Sequence, residues 1–151
     1  MRNKALAGLA GLGLAASLAF AGVAQAAPFD NAGYPRFAHE GVYPEKSGCK
    51  YRLTRSAKGV WGGRTIPLRY YYSGRCGSFA RIDNAPRSCK VWLDRTPDRD
   101  TVGGWDFVGE TVDPGLNFAY TKVGNNLGGR LSRGALTCGP RNTVIVRTPW
   151  F

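Results

Sequence analysis

The sequence predicts an all-β fold, a small disulfide-stapled antiparallel sandwich or barrel. Residues 64–73 alternate with a period of two, no later segment shows a sustained helical period, and Gly, Pro and Asn clusters punctuate short apolar runs. At 151 residues, 43% of them hydrophobic and 12% aromatic, the chain can bury one core and is too short for a multidomain machine. The same composition, with 21% charged residues, excludes a fully disordered chain and a collagen-like repeat.

The N-terminus carries an address. Arg2 and Lys4 precede an uncharged stretch from Ala5 to Val23, and Ala24-Gln25-Ala26 stands before Ala27-Pro28. A basic start, an apolar middle and a small-x-small site describe an export signal, so residues 1–26 are expected to be removed and the protein to be secreted, extracellular or envelope-associated. A membrane anchor is the competing reading. The stretch is rich in Gly and Ala and no basic stop-transfer cluster follows it, and no later segment reaches the roughly 18 apolar residues of a span. Residues 27–47 hold Tyr34-Pro35 and Tyr43-Pro44 without a period and read as a flexible leader, leaving residues 48–151 as a single β domain.

Within that domain the strands follow in order. Segments 49–56 and 64–73 flank Ala57-Lys58-Gly59-Val60-Trp61-Gly62-Gly63, a hairpin with a long loop. In the second segment Ile66, Leu68, Tyr70 and Tyr72 share one face, and Pro67, Arg69, Tyr71 and Ser73 the other. Pro67 has no N–H to give a ladder, so its strand is expected at an edge or a bulge. After the turn at 73–77 come strand 78–83, the Asn84-Ala85-Pro86-Arg87 turn, and strand 88–94 with Val91 and Leu93 inward. Further strands are expected at 105–112, at 117–123 after the Asp113-Pro114-Gly115 turn, at 135–138 and at 143–148.

Cys49, Cys76, Cys89 and Cys138 make an even count, which in an exported chain reads as two disulfides with three possible connectivities. If 64–73, 78–83 and 88–94 form a meander, Cys76 and Cys89 lie at opposite ends of its middle strand, roughly 20 Å apart at about 3.3 Å per residue. A disulfide needs Cα atoms within about 7 Å. Cys49 opens the strand lying beside the end of 64–73, so the preferred pairs are Cys49 with Cys76 and Cys89 with Cys138. No C-x-x-C spacing exists and His39 is the sole histidine, so neither a metal site nor a cofactor is expected.

Gly48-Cys49 with Thr54, Gly63 leading to Leu68-Arg69-Tyr70, and Cys76 followed by Phe79-Ala80-Arg81-Ile82 form a pattern. It resembles one in small secreted actinobacterial proteins of unassigned function, which carry Trp where Phe79 stands and a shorter gap between the Tyr and the second Cys. The resemblance covers about 35 residues. It implies a bacterial, exported, β-rich protein and transfers no catalytic residue.

Charge narrows the partners. Lys and Arg number 21 against 10 Asp and Glu, a net +11 that falls by two when Arg2 and Lys4 leave with the signal. A basic exported domain meets anionic polymers such as wall polymers and acidic glycans. The cations are dispersed rather than gathered in one run, which describes a solvated surface and not a reader of base sequence. By alternation Tyr71 and Trp92 point opposite their strands' inward residues. Together with Arg69, Arg81 and Lys90 they are the candidate binding residues, a basic aromatic face able to stack on sugar rings or bases and to pair with phosphates. The competing reading makes these rings core or edge cover.

Catalytic patterns are weak. His39 is the one available imidazole base, and with Glu40 beside it and a distant Arg it is the only set a ribonuclease could use; neighbours on an extended chain point apart. Asp94, Asp98, Asp100, Asp106, Glu110 and Asp113 cluster in sequence, but Asp106 and Glu110 would stand about 13 Å apart along one strand, beyond glycosidase reach. The acids read as surface complements of Arg95 and Arg99, and Asp94-x-x-x-Asp98-x-Asp100 lacks the pattern of an EF-hand calcium loop. Gly124-Asn125-Asn126-Leu127-Gly128-Gly129-Arg130 lacks phosphate-loop order and reads as a turn. The sequence therefore points to a monomeric, secreted, non-enzymatic protein that binds anionic or glycan polymers at the cell envelope. One alternative is a protease inhibitor or toxin offering Arg141 from Cys138-Gly139-Pro140-Arg141; another is a small hydrolase or ribonuclease using His39.

Overall fold

The computed structural model describes residues 39–96, 101 and 106–151. The proposed signal, residues 1–26, and the first part of the leader lie outside them. Among the described residues eight strands build the fold: β1 (Arg52–Trp61), β2 (Arg64–Ser73), β3 (Gly77–Ile82), β4 (Cys89–Arg95), β5 (Asp106–Thr111), β6 (Ala119–Tyr120), β7 (Ser132–Cys138) and β8 (Thr143–Arg147). They form two antiparallel four-stranded sheets, ordered β1-β2-β3-β6 and β5-β4-β7-β8. β1 packs over β8, β2 over β7, β3 over β4 and β7, and β6 over β4 and β5, so the sheets lie strand over strand as an unclosed sandwich.

Period-two alternation makes the core. Ile66, Leu68, Ala80 and Ile82 of the first sheet meet Val91 and Leu136 of the second, all fully buried. Tyr70, Leu93 and Val108 continue the core beside Tyr72 and Phe151. Both expected disulfides are present, Cys49–Cys76 and Cys89–Cys138. The second joins residues that face each other directly across β4 and β7, with Cα atoms 4.0 Å apart.

Several expectations are corrected. The hairpin between β1 and β2 has no long loop: pairing runs to Trp61 and Arg64, and Gly62 and Gly63 turn the chain alone at φ 56° and 73°. Two successive positive φ angles are what a tight two-residue turn requires, and glycine adopts them without a steric penalty. The strand holding Pro67 is interior, and its ladder with β1 shifts register at Leu53/Arg55, not at the proline. Pairing between β2 and β3 ends at Leu68 with Ile82, and the Pro67 carbonyl accepts from the Asp83 N–H at 3.3 Å on that side. In an antiparallel strand N–H and C=O of one residue point the same way. The proline's missing donor therefore falls just past the end of β3, where the ladder no longer needs it.

β4 does not extend a meander from β3; it starts the second sheet, with residues 83–88 crossing between layers. The pairing drawn from that meander holds without it: Cys76 bonds Cys49 and Cys89 bonds Cys138. Only Ala119–Tyr120 of the expected strand 117–123 pairs as a strand, and β7 begins at Ser132, three residues ahead of the expected start. Residues 39–47 are not a loose leader. Gly41 N–H donates to Val123 O and Val123 N–H to Val42 O, both at 2.9 Å, and Glu40 forms an ion pair with Arg95. Arg95 follows Val91 and Leu93 on the inward face of β4 and is 1% exposed. Read from sequence as a surface cation, it is the largest side chain buried in the core. A guanidinium in that position requires a buried counter-charge, and the segment ahead of β1 supplies it.

The Tyr70 hydroxyl anchors a second polar group within the core, 2.6 Å from Ser132 Oγ, which is 2.9 Å from Ser78 Oγ; Asn126 Nδ2 donates to the same phenol at 2.8 Å. Burial pushes the phenol up to about 12, against hydrogen bonds from the two serines that lower it. Two outcomes follow. Glu40→Ala removes a carboxylate that pairs with the buried Arg95 and is expected to cost about 3 to 5 kcal/mol in denaturant unfolding at neutral pH; a loss below about 1 kcal/mol would show that the pair does not hold the segment. Because the folded Tyr70 pKa exceeds the unfolded 10.0, its stabilisation is complete below pH 10 and is lost as pH rises toward 12. Absorbance titration should show one phenol ionising late, absent in Tyr70→Phe.

Candidate functional site

The outer face of the second sheet carries a groove of about 300 Å³. Residues alternating with the core of β4, Lys90, Trp92 and Asp94, project onto it. Neighbouring strands complete three rows: Thr111, Lys90 and Thr137; Gly109, Trp92, Ala135 and Arg147; Phe107, Asp94 and Arg133. The middle row is small on both sides of the tryptophan, and this lets the indole lie down. A Cβ placed on Gly109 would meet Trp92 ring carbons at 2.3 and 2.4 Å, so the ring rests on glycine backbone. Its N–H donates to Thr137 Oγ1 at 2.7 Å, and Phe107 meets it edge-on at 5.4 Å. Phe107 is 59% exposed, and Val144 lines the opposite side of the groove.

The polar side is as ordered as the apolar one. Asp94, only 5% exposed, accepts from Arg133 Nε at 2.9 Å and lies 3.8 Å from Arg147 Nε. Burial raises its pKa, and the two guanidiniums lower it by less. Arg133 also lies 4.2 Å from the Trp150 ring centroid, and Lys90 Nζ stands 5.8 Å from that of Trp92. Asn142, held at φ 49° in the β7–β8 turn, and Arg147 close the rim. The groove thus sets aromatic surface beside a carboxylate, guanidiniums, an amide and a hydroxyl. C–H faces of a sugar suit the first and its hydroxyls the second.

The five binding residues read from sequence are not brought together. Trp92 lines the groove and Lys90 stands beside it on the same outer face without lining it, whereas Arg69, Tyr71 and Arg81 occupy the outer face of the other sheet. There Arg69 and Arg81 are cross-strand partners whose like charges are offset by Asp83, which takes Arg69 at 2.5 Å and Arg81 at 2.7 and 2.9 Å. Tyr71 stacks on its partner Phe79 at 4.8 Å, with rings nearly parallel at 6°, and Phe79 in turn meets Tyr51 and Tyr120. This second cluster is self-paired, much of its aromatic area spent within the sheet.

Sequence reading missed Phe107, Thr137, Asn142 and Arg147, and did not bring Arg133 and Arg147 to Asp94. Alternation along β5 and β8 held the signal for Phe107 and Arg147, but which strands adjoin Trp92 is a matter of topology. Asp98, Arg99 and Asp100 lie outside the described residues, as does the side chain of Asp106. His39 is half-buried beside the first disulfide, its ligand nitrogen and the Cys49 and Cys76 sulfurs lying within 4.8 Å of one another. Both sulfurs are bonded to each other, so neither is a thiolate ligand. Arg141 stands exposed in the β7–β8 turn, whose Gly139 N–H donates to Ser88 O at 2.7 Å.

No family model, curated protein or solved structure matches the chain. Among the described residues no helix is long and apolar enough to cross a membrane.

The role of Gly109 is open to direct test. Gly109→Val should lift Trp92 off the sheet, seen as a red-shifted, more quenchable tryptophan emission, while cooperative unfolding is retained; an unchanged Trp92 environment would show that the glycine does not seat the ring.

Proposed function

We propose that this is an exported, non-enzymatic protein that binds glycan at the cell envelope, with the second sheet's groove as the sugar-binding site. One observation carries the reading: Trp92 and Phe107 present aromatic surface directly against Asp94, Asn142, Thr137 and Arg147 in one open groove. A sugar ring has an apolar C–H face and a hydroxyl edge, and this arrangement is complementary to both. Lys and Arg number 21 against 10 Asp and Glu over the whole chain, so acidic glycans are favoured over neutral ones. Export is supported by the N-terminal signal pattern, by two disulfides and by the likeness to small secreted actinobacterial proteins.

Retention on immobilised acidic wall polysaccharide checks the reading. Wild type should remain bound at about 0.5 M salt, where exposed charge alone is screened over roughly 4 Å. Trp92→Ala combined with Phe107→Ala should weaken retention at least tenfold, about 1.4 kcal/mol, while Tyr71→Ala should leave it within twofold. Complete elution of wild type at that salt, or equal retention of the double variant, would remove the groove from the function.

A further inference from the structure

The two disulfides stand in different surroundings. Cys89 and Cys138 are fully buried and face each other across a β ladder, whereas Cys76 ends the β2–β3 turn at 1% exposure and Cys49 stands half-buried ahead of β1. Of the four half-cystines only Cys49 carries appreciable exposure. The chain's sole histidine lies against that same bridge, a ring nitrogen of His39 and the two sulfurs falling within 4.8 Å of one another. Lys50 and Arg75, sequence neighbours of the two cysteines, are both exposed, and positive surface draws an anionic thiolate toward the bond.

Thiol–disulfide exchange asks for these features. The thiolate is the attacking form, an accessible sulfur is the one attacked, and the bond breaks faster when the leaving sulfur is stabilised as an anion. An imidazole beside the leaving sulfur supplies that stabilisation by donating a proton to it. The surroundings do not depend on the bridge for their shape. Ser47 Oγ accepts from Cys49 N–H at 3.2 Å and from the Tyr51 hydroxyl at 3.0 Å, while His39 is followed by Glu40, paired with Arg95, and by Gly41, bonded to Val123. Neither Cys49 nor Cys76 belongs to a strand, so opening the bond breaks no ladder pair.

We propose that Cys49–Cys76 is a thiol-exchange site that takes a low-molecular-weight thiol as a mixed disulfide on Cys49, with His39 receiving the Cys76 thiolate. The incoming thiolate, its proton released to solvent, attacks Cys49 Sγ; a new S–S bond forms there as the Cys49–Cys76 bond breaks, and the electron pair leaves on Cys76 Sγ. His39 donates a proton to that sulfur and regains one from solvent. The incoming sulfur is oxidised and Cys76 is reduced, so no further oxidant enters, and attack by Cys76 on the mixed disulfide reverses the step. Cys89–Cys138, buried within its ladder, keeps the groove aligned throughout, and the exchange site stands apart from the glycan reading.

Native protein incubated with reduced glutathione, quenched with N-ethylmaleimide and mapped by peptide mass spectrometry tests it. Expected are glutathione on Cys49, maleimide on Cys76 and an intact Cys89–Cys138 bridge, the first bond opening at least about tenfold faster than the second. His39→Ala should slow the opening about fivefold or more with circular dichroism unchanged, and added imidazole should restore the rate in that variant without raising it in wild type. A merely structural histidine would show no such rescue. Should the variant fail to fold, the wild-type map alone decides. Glutathione on Cys76, equal opening of both bridges, or no opening short of denaturation would overturn the exchange site; wild-type speed in folded His39→Ala would overturn the role of His39.

Discussion

The cross-strand bridge between Cys89 and Cys138 fixes the alignment of the two central strands of the second sheet, and the groove follows from that alignment. Once these residues face each other, antiparallel pairing sets Trp92 against Ala135 and Asp94 against Arg133. A slip of one residue would send every side chain of β4 to the opposite face, putting Trp92 in the core and Leu93 in water. The bridge closes a long loop, 49 residues in separation, and bonds of this kind contribute about 2 to 5 kcal/mol in small exported domains. Its positional effect matters as much as its energy, since it makes the slipped pairing covalently impossible.

The two outer faces of the sandwich show why aromatic and basic composition does not by itself define a binding surface. Both carry rings and cations. On the first sheet Tyr71 covers Phe79, and Asp83 engages Arg69 and Arg81 together, so the attractive chemistry is consumed internally. On the second sheet small residues, Gly109 and Ala135, flank Trp92, and the ring lies along an open groove. Vacant space beside an ordered ring distinguishes a surface that receives a ligand from one that completes itself.

Much of the architecture was legible because it is local. The alternation of Ile66, Leu68, Tyr70 and Tyr72 placed β2 to the residue, and the distance argument on Cys76 and Cys89 led to both disulfides. What failed was non-local. Pro67 looks like an edge residue until the length of β3 is known, and Arg95 looks like a surface cation until Glu40, 55 positions earlier, is brought to it. Trp92 was legible as an outward ring, but its partners Phe107, Thr137 and Arg147 come from three other strands and are adjacent only through sheet order. The loop 124–131 shows the same limit: glycines at Gly128 and Gly129 were correctly read as turn formers, yet the burial of Asn125 and Asn126 beside them follows only from how the loop packs on the sheets.

The anchoring of both described ends has a practical bearing. Glu40 and Gly41 are bound into the body on one side, and Phe151 pairs with the Ser132 backbone and packs on Tyr70 and Tyr72 on the other. Tags or reporters spliced close to either end would intrude on interior packing. The exposed glycine pair joining β1 to β2 stands clear of that packing, which makes it the natural place to insert an epitope and follow the protein in its own surroundings.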